Sequence, residues 1–338
     1  MSGRARRVGI EDVAAAAGVS VATVSRAIRG LPNVAQETRE RVVRVAEELR
    51  YTPDPAAARL AAGKTRTVAV GVPDPRAWYF SKVVGGVDGG LTLAGYDLLL
   101  SGLPDQEHKT RFLDLNAPGA RRCDAIILID VALSPEEAVA LVAEQYRLVL
   151  VGFRYDDFPS VSIDNLSAAR CAVTHLLSLG HRRIGLIVMP SSGAMNFVVP
   201  PLRRQGYLAA HEAADCAVHP DLVVEAGGSA DEVRMASRRL LELPDRPTAV
   251  FAMSDEQAFG VMLAARDLGL RIPDDLSVVG VDDHDQSDLV GLTTVRQEVA
   301  RQGVLAAELL LEVLRGEKVR HVEVPTELIV RSSTAPVN

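Results

Sequence analysis

Apolar runs of strand length alternate with stretches of helical periodicity over most of this chain, from Thr67 onward. The candidate strands are Thr67–Val72, Tyr96–Leu100, Ala125–Ile129, Leu148–Val151, Val161–Ile163, Ile184–Val188, Leu222–Val224, Ala249–Ala252, Ser277–Val281 and Val322–Val324. Helical stretches such as Leu166–Leu179 and Asp255–Leu268 separate many of them. A strand that is apolar throughout, rather than at every second residue, is buried on both faces, as in a parallel sheet covered by crossover helices. The number of runs suits two such sheets rather than one. Length agrees, because 338 residues exceed one ordinary hydrophobic core and imply two or three domains.

The first 66 residues follow a different rule. In IEDVAAAAGVSVATVSRAIRG, residues 10–30, two short helical patterns flank a turn at Gly18. Ile10, Val13, Ala14 and Ala17 form one apolar stripe. Gly18 tolerates positive φ, and Ser20 stands where a helix N-cap belongs, able to accept the N–H of Ala22 or Thr23. The second helix buries Val24, Ala27 and Ile28 and turns Val21, Ala22, Ser25, Arg26 and Arg29 outward. An outer face of Arg, small hydroxyls and small apolar groups suits a DNA major groove, as in a helix-turn-helix. After the loop Gly30–Asn33, a third helix over about Gln36–Leu49 buries Val42, Val45, Ala46 and Leu49 and leaves Arg39, Arg41, Arg44 and Arg50 for phosphates. Pro53 and Pro55 bracket Asp54, a good helix start, but the segment Ala56–Ala62 is so short that it needs a packing partner to fold.

The formal net charge of −7 argues against nucleic acid until its distribution is seen. Residues 1–66 hold 12 Lys/Arg against 7 Asp/Glu, and the remainder holds 25 against 37. A basic head on an acidic body fits a DNA-contacting end. Cys123, Cys171 and Cys216 lack metal-ligand or disulfide spacing and read as buried thiols of a reducing compartment. MSGRARRVGI has no apolar segment of a signal peptide, and no run is long enough to cross a bilayer. His175, His181 and His211 are scattered, and no nucleophile–base pair, phosphate loop or metal cluster is seen. The chain therefore reads as no enzyme, with no catalytic residue, metal or cofactor. A sugar-binding transport module would explain the α/β body but not the basic head.

These residues together resemble the LacI/GalR (lactose/galactose repressor) family of bacterial transcription regulators, from about residue 8 to about residue 336. The markers are DVAAAAGVSVATVSRAI, ETRERV, AGYDLLL, SIDN, HLLSLGHRRI, RPTAVFAMSDEQAFG, DLSVVGVDD with LTTVRQ, and VPTELIVRSSTA. The resemblance implies an α helix-turn-helix domain followed by an α/β core of two doubly wound parallel-sheet subdomains of the periplasmic-binding-protein type. The implied boundaries are a headpiece over 8–52, a hinge helix and linker over 53–66, and an effector-binding and dimerisation core over 67–338. Within the core, one subdomain takes about 67–165 and 297–324 and the other about 166–296 and 325–338, with crossings near Asn165, Arg296 and Pro325. The implied function is an effector-responsive repressor that binds a pseudo-palindromic operator in double-stranded DNA as a homodimer. Nothing after Val330 looks like a tetramerising heptad tail. No membrane contact is expected, and the expected location is the cytoplasm, on the nucleoid.

The resemblance places Val21, Ala22 and Arg26 at base-reading positions. Arg26 suits guanine and the two small residues suit thymine methyls. Thr23 and Ser25 suit phosphate oxygens, and Arg29, where relatives more often have Asn, adds a further candidate. Leu60 takes the position of a minor-groove wedge, with the small Ala57 near the groove floor. A leucine packed on a partner hinge explains Leu60 as well, and both can hold at once.

For the effector, a carbohydrate-like metabolite in this family's pattern, the implied residues are Tyr79, Phe80, Asp164, Arg203, Ser254, Asp255 and Asp282. Tyr79 and Phe80, beside Trp78, either stack on a ligand ring or pack their own helix. Arg203 and Asp282 across one cleft suit a polyol, donor against acceptor, or form a structural salt bridge. Departures include Ser254 for a more usual Asn, GGSADE without an aromatic, and the apolar loop Ser191–Pro201 ahead of Arg203.

Overall fold

A computed structural model of the chain describes residues 8–51, 65–114, 123–189, 198–227 and 229–337. The chain divides into two compact units, 1–66 and 67–338.

In the first unit, α1 (Ile10–Ala17), α2 (Val21–Ile28) and α3 (Gln36–Glu48) surround a small core of Val13, Ala14, Ala17, Val24, Ala27, Val42 and Ala46. Gly18 ends α1 at φ 66, the left-handed conformation expected of it. Ser20 caps α2 by accepting the Thr23 N–H at 3.1 Å. Ala35 gives α3 no side-chain cap.

The second unit holds two six-stranded sheets. The first runs in the order β11 (His321–Glu323), β5 (Ser160–Ser162), β4 (Leu148–Val151), β3 (Ala125–Ile129), β1 (Thr67–Val72), β2 (Asp97–Gly102), and every pairing is parallel. The second runs β12 (Thr326–Ile329), β10 (Thr293–Gln297), β9 (Ser277–Asp282), β8 (Ala249–Ala252), β6 (Ile184–Val188), β7 (Val223–Glu225), with only β12 antiparallel. Strands buried on both faces explain the unbroken apolar runs. In β3, Ala125, Ile127 and Ile129 enter one core cluster, while Ile126 and Leu128 enter another on the opposite face.

Helices α4 (Trp78–Leu93) and α11 (Val299–Leu314) cover one face of the first sheet; α5 (Gln106–Leu113) and α6 (Pro135–Ala143) cover the other. On the second sheet, α7 (Asn165–Ser178) pairs with α8 (Val199–Ala213) on one face and α9 (Ala230–Leu241) with α10 (Asp255–Asp267) on the other. The approach of α4 to α11 leaves no room for side chains at its centre. A Cβ on Gly86 would lie 2.1 Å from the Ala300 carbonyl oxygen, and one on Gly303 would lie 2.0 Å from that of Val83. The chain passes between the sheets after β5, after β10 and between β11 and β12.

Two strands escaped the sequence reading. β10 is TTVRQ, too polar to look like an interior strand, yet Thr293 and Thr294 are fully buried. Their hydroxyls are bonded, Thr293 to the Arg331 carbonyl at 3.3 Å and Thr294 to Asp255 at 2.6 Å. Side-chain hydrogen bonds thus replace the apolar pattern. β12 is a short, half-exposed edge strand. The expectation of buried thiols also fails: Cys171 is exposed on α7, and Cys123 and Cys216 are only half-buried.

Candidate functional site

Helix α2 displays Val21, Ala22 and Arg26 to solvent, with Arg29 exposed just beyond its end. Thr23 and Ser25 are half-buried beside them. The Thr23 hydroxyl lies 2.9 Å from that of Ser20, so it belongs to the cap as well as to the outer face. Arg39 is not free for phosphate. Its guanidinium donates to the carbonyls of Ala27 at 2.9 Å and Leu31 at 2.7 Å, which ties α3 to the C-terminal end of α2. Arg41, Arg44 and Arg50 remain exposed. The result is a short helix pinned at both ends that offers one arginine, two small apolar groups and the unbonded N–H groups of its first turn. Ala57 and Leu60 lie outside the described residues.

The second candidate site lies where the C-terminal strand ends of the two sheets meet. Asp282 ends β9 with φ 132, and Asp130 follows β3 with φ 51, both in the region that L-residues rarely enter. Arg203 of α8 is 7% exposed and Asp282 5%. Their closest approach is 4.0 Å, a contact rather than a tight pair. Arg203 Nε donates to Asn165 Oδ1 at 2.8 Å, and its Nη1 donates to the Met253 carbonyl. Asp282 Oδ1 accepts from Gln297 Nε2 at 2.6 Å, Gln297 Oε1 accepts from Gln302 Nε2 at 2.9 Å, and Gln302 Oε1 accepts from the Tyr79 hydroxyl at 3.4 Å. Hydrogen bonds therefore run from α4 and α11, on the first sheet, to β10 and β9 on the second. A further link crosses at Trp78, whose indole N–H donates to Asp285 at 3.1 Å, while Lys82 pairs with Asp285 at 2.6 Å. The Trp78 ring lies 4.5 Å from that of His284.

Burial governs the electrostatics of this cluster. It pushes the carboxyls of Asp130 and Asp282 up to about 7, against the pull of the Arg203 guanidinium. The Tyr79 hydroxyl is raised chiefly by burial and further by Asp130. One cation thus faces two acids that both resist ionisation.

The residues picked from the sequence separate into groups. Tyr79, Arg203 and Asp282 join the cluster. Phe80 is half-buried, edge-on to Tyr79 at 5.3 Å. Asp255 is fully buried, but its oxygens accept from Ser287 Oγ at 2.7 Å, the His284 N–H at 2.8 Å and Thr294 Oγ1 at 2.6 Å. It fastens the 283–287 segment and β10 to the start of α10. Ser254 caps α10 by accepting the Gln257 N–H at 3.2 Å. Asp164 caps α7 by accepting the Ser167 N–H at 2.9 Å, and it is exposed. Of the SIDN segment it is Asn165 that reaches Arg203. His181 is structural, with ring nitrogens 2.9 Å from Thr248 Oγ1 and 3.0 Å from the Ala335 carbonyl.

Asn165, Gln297, Gln302 and Asp130 were not anticipated. A usable signal existed for Asp130: an acid directly after an all-apolar strand, the same cue that singled out Asp282. The glutamines had none, because one sits in the unrecognised β10 and the other inside a helix. Among the described residues no cluster of His, Cys, Asp or Glu is arranged for a metal ion, and no helix is long and apolar enough to cross a membrane.

The sequence matches the family model for bacterial regulatory proteins of the lacI family over residues 9–54 and a periplasmic binding protein-like domain over residues 173–334. It is 33% identical to the HTH-type transcriptional repressor CytR of Escherichia coli K12, over 96% of both chains. A solved complex of the transcriptional regulator CelR with cellobiose matches at 30% identity and a TM-score of 0.70, covering 97% of this chain and all of that one. The lac repressor dimer, solved with operator and the anti-inducer ONPF, matches at 27% identity and a TM-score of 0.83, covering 98% of this chain and all of that one. Such relatives are transcriptional regulators rather than enzymes, and a bacterial protein that binds DNA in this role works in the cytoplasm. The chain belongs to the LacI family of bacterial regulatory proteins and is a DNA-binding transcriptional regulator.

Proposed function

We propose that the protein is a homodimeric repressor on the nucleoid, whose operator affinity is set by a small, sugar-like metabolite held between two core subdomains. The observation that carries the DNA-reading part is the exposed Val21–Ala22–Arg26 stripe on a helix fixed at both ends. In this reading Arg26 bonds a guanine edge, Val21 and Ala22 touch thymine methyls, and Thr23, Ser25 and Arg29 meet phosphates. Leu60 wedges into the minor groove with Ala57 beside it. The headpiece spans 8–52, the hinge 53–66 and the core 67–338.

Within the core, Tyr79, Arg203 and Asp282 contact the effector, with Phe80 behind Tyr79. Asp255, Ser254 and Asp164 act by positioning the elements around it. The bonded chain from Tyr79 to Asp282 supports this, because a ligand that replaces any of those bonds acts on both sheets at once. Its preference for one orientation of the subdomains is what shifts operator affinity.

The experiment is selection of the full-length protein against random duplex DNA, followed by binding titrations on the enriched sequence. Inverted repeats are expected, with affinity falling steeply as salt rises. Arg26→Ala is expected to weaken specific binding by about 1–3 kcal/mol while sparing binding to random duplex. No preference for any inverted repeat, with or without candidate metabolites, overturns the reading.

A further inference from the structure

The buried carboxyl of Asp130 has no part in the hydrogen-bond chain just described, yet the structure is shaped around it. Its backbone N–H donates to the Val151 carbonyl at 2.9 Å, which holds the residue in line with β4. Gly152, the next residue after β4, has φ 98, and a Cβ there would lie 1.6 Å from Asp130 Oδ1. A glycine at 152 is what leaves space for this carboxyl. Asp130 Oδ1 is nevertheless buried without any hydrogen-bond donor.

Neither Arg203 nor Tyr79 donates a hydrogen bond to this oxygen. Arg203 acts on Asp130 electrostatically, but its Nε and Nη1 go to Asn165 and Met253. The Tyr79 hydroxyl, which feels both Asp130 and Asp282, goes to Gln302. A buried carboxylate oxygen left without a donor is destabilising, so such groups mark places where something outside the chain completes the bonding. The position is apt, since ligands of parallel α/β sheets sit at the C-terminal strand ends. Asp282 holds that place on the second sheet and Asp130 holds it on the first.

We propose that Asp130 is a ligand-contacting residue and that the ligand turns a hydrogen-bond donor, a sugar hydroxyl or an amine N–H, toward the first sheet. The inference rests on the reading of this cluster as the effector site. Asp130 then sets specificity for a donor at one end of the ligand. Above about pH 7, where the carboxyl is ionised, an analogue with a pure acceptor there, a ketone or an ether, is rejected because it leaves the carboxylate unpaired.

The test uses the full-length protein and its Asp130→Asn, Asp130→Ala and Arg203→Ala variants. Wild type is screened by thermal shift against glucose, glucosamine, cellobiose, inosine and adenosine, and the strongest binder is titrated calorimetrically. Asp130→Ala is expected to weaken it about tenfold or more, as loss of a charge-assisted bond does. Asp130→Asn is expected to fall between, since Asn tolerates the left-handed backbone and keeps an acceptor. Amines tighter than their hydroxyl counterparts point to an N–H donor; equal binding points to a hydroxyl.

Without ligand, the melting temperature of Asp130→Asn is expected to equal or exceed that of wild type. A fall of several degrees makes the carboxyl a structural group and overturns the proposal. Binding of Asp130→Ala within twofold of wild type, with Arg203→Ala impaired, also overturns it and leaves the effector reading standing. If no compound binds the wild type, both fall together.

Discussion

Asp255, fully buried, and Asp130, half-buried with a buried Oδ1, are acids at the inner rims of the two sheets, and each is made possible by a glycine. A Cβ on Gly280 would lie 2.1 Å from Asp255 Oδ1, as one on Gly152 would crowd Asp130. There the likeness stops. Asp255 accepts three hydrogen bonds of 2.6–2.8 Å from Ser287, His284 and Thr294, whereas Asp130 Oδ1 accepts none. On the second sheet Asp255 is bonded on both oxygens by its own chain. The rim of the first keeps an open acceptor. What separates a structural acid from a binding one is the set of donors around its buried oxygens.

The comparison can be broken most directly at Asp255. Asp255→Ala leaves three buried donors unsatisfied and is expected to lower the stability of the core by roughly 3–5 kcal/mol, measured by urea denaturation. Unchanged stability would show that the bonded rim is no more structural than the open one.

A smaller effect is expected at Asp130, and it depends on pH. Burial holds this carboxyl at about 7 in the folded chain, against an ordinary value near ~3.9 when unfolded. As pH rises through that window the unfolded chain loses the proton first, so the group's contribution to folded stability falls, and it is level above the folded value. His175, His181 and His211, lowered chiefly by burial, act in the opposite sense near their ordinary range. They are common to wild type and variant and cancel in the difference. Arg203, Tyr79 and Asp282 face Asp130 in both. Asp130→Asn should therefore gain on wild type by about 1–3 kcal/mol between pH 5 and 7.5. A difference that does not change with pH would mean that the carboxyl already ionises freely.

The smallest effect sharpens the contrast from outside. Asp164 is an exposed cap, held low by the hydrogen bonds of Ser167. Asp164→Ala is expected to cost about 1 kcal/mol of core stability and to leave ligand affinity unchanged. A tenfold loss of affinity would return Asp164 to the site.

Legibility from the sequence followed physics that is local or periodic. The Gly18 turn, the Ser20 cap and the bounds of β1, β3, β4, β6 and β8 agree with the expectation residue for residue. Failures came where long-range partners replace a pattern. TTVRQ forms a central strand because Ser333, Arg331 and Asp255 satisfy its hydroxyls and backbone from 38 or more residues away. Arg39 looked like a phosphate ligand and instead caps α2. Asp164 and Ser254, expected at the ligand because they stand at strand ends, are helix caps as well, a role the sequence reading did not give them.

The sequence alone determined the two-part organisation, the helix-turn-helix and the family, because helical spacing, caps and runs of doubly buried strands are written in neighbouring residues. Only the tertiary structure decided which acids hold the fold together and which one waits for a partner. That choice depends on donors brought from other elements, whose distances no spacing along the chain reveals.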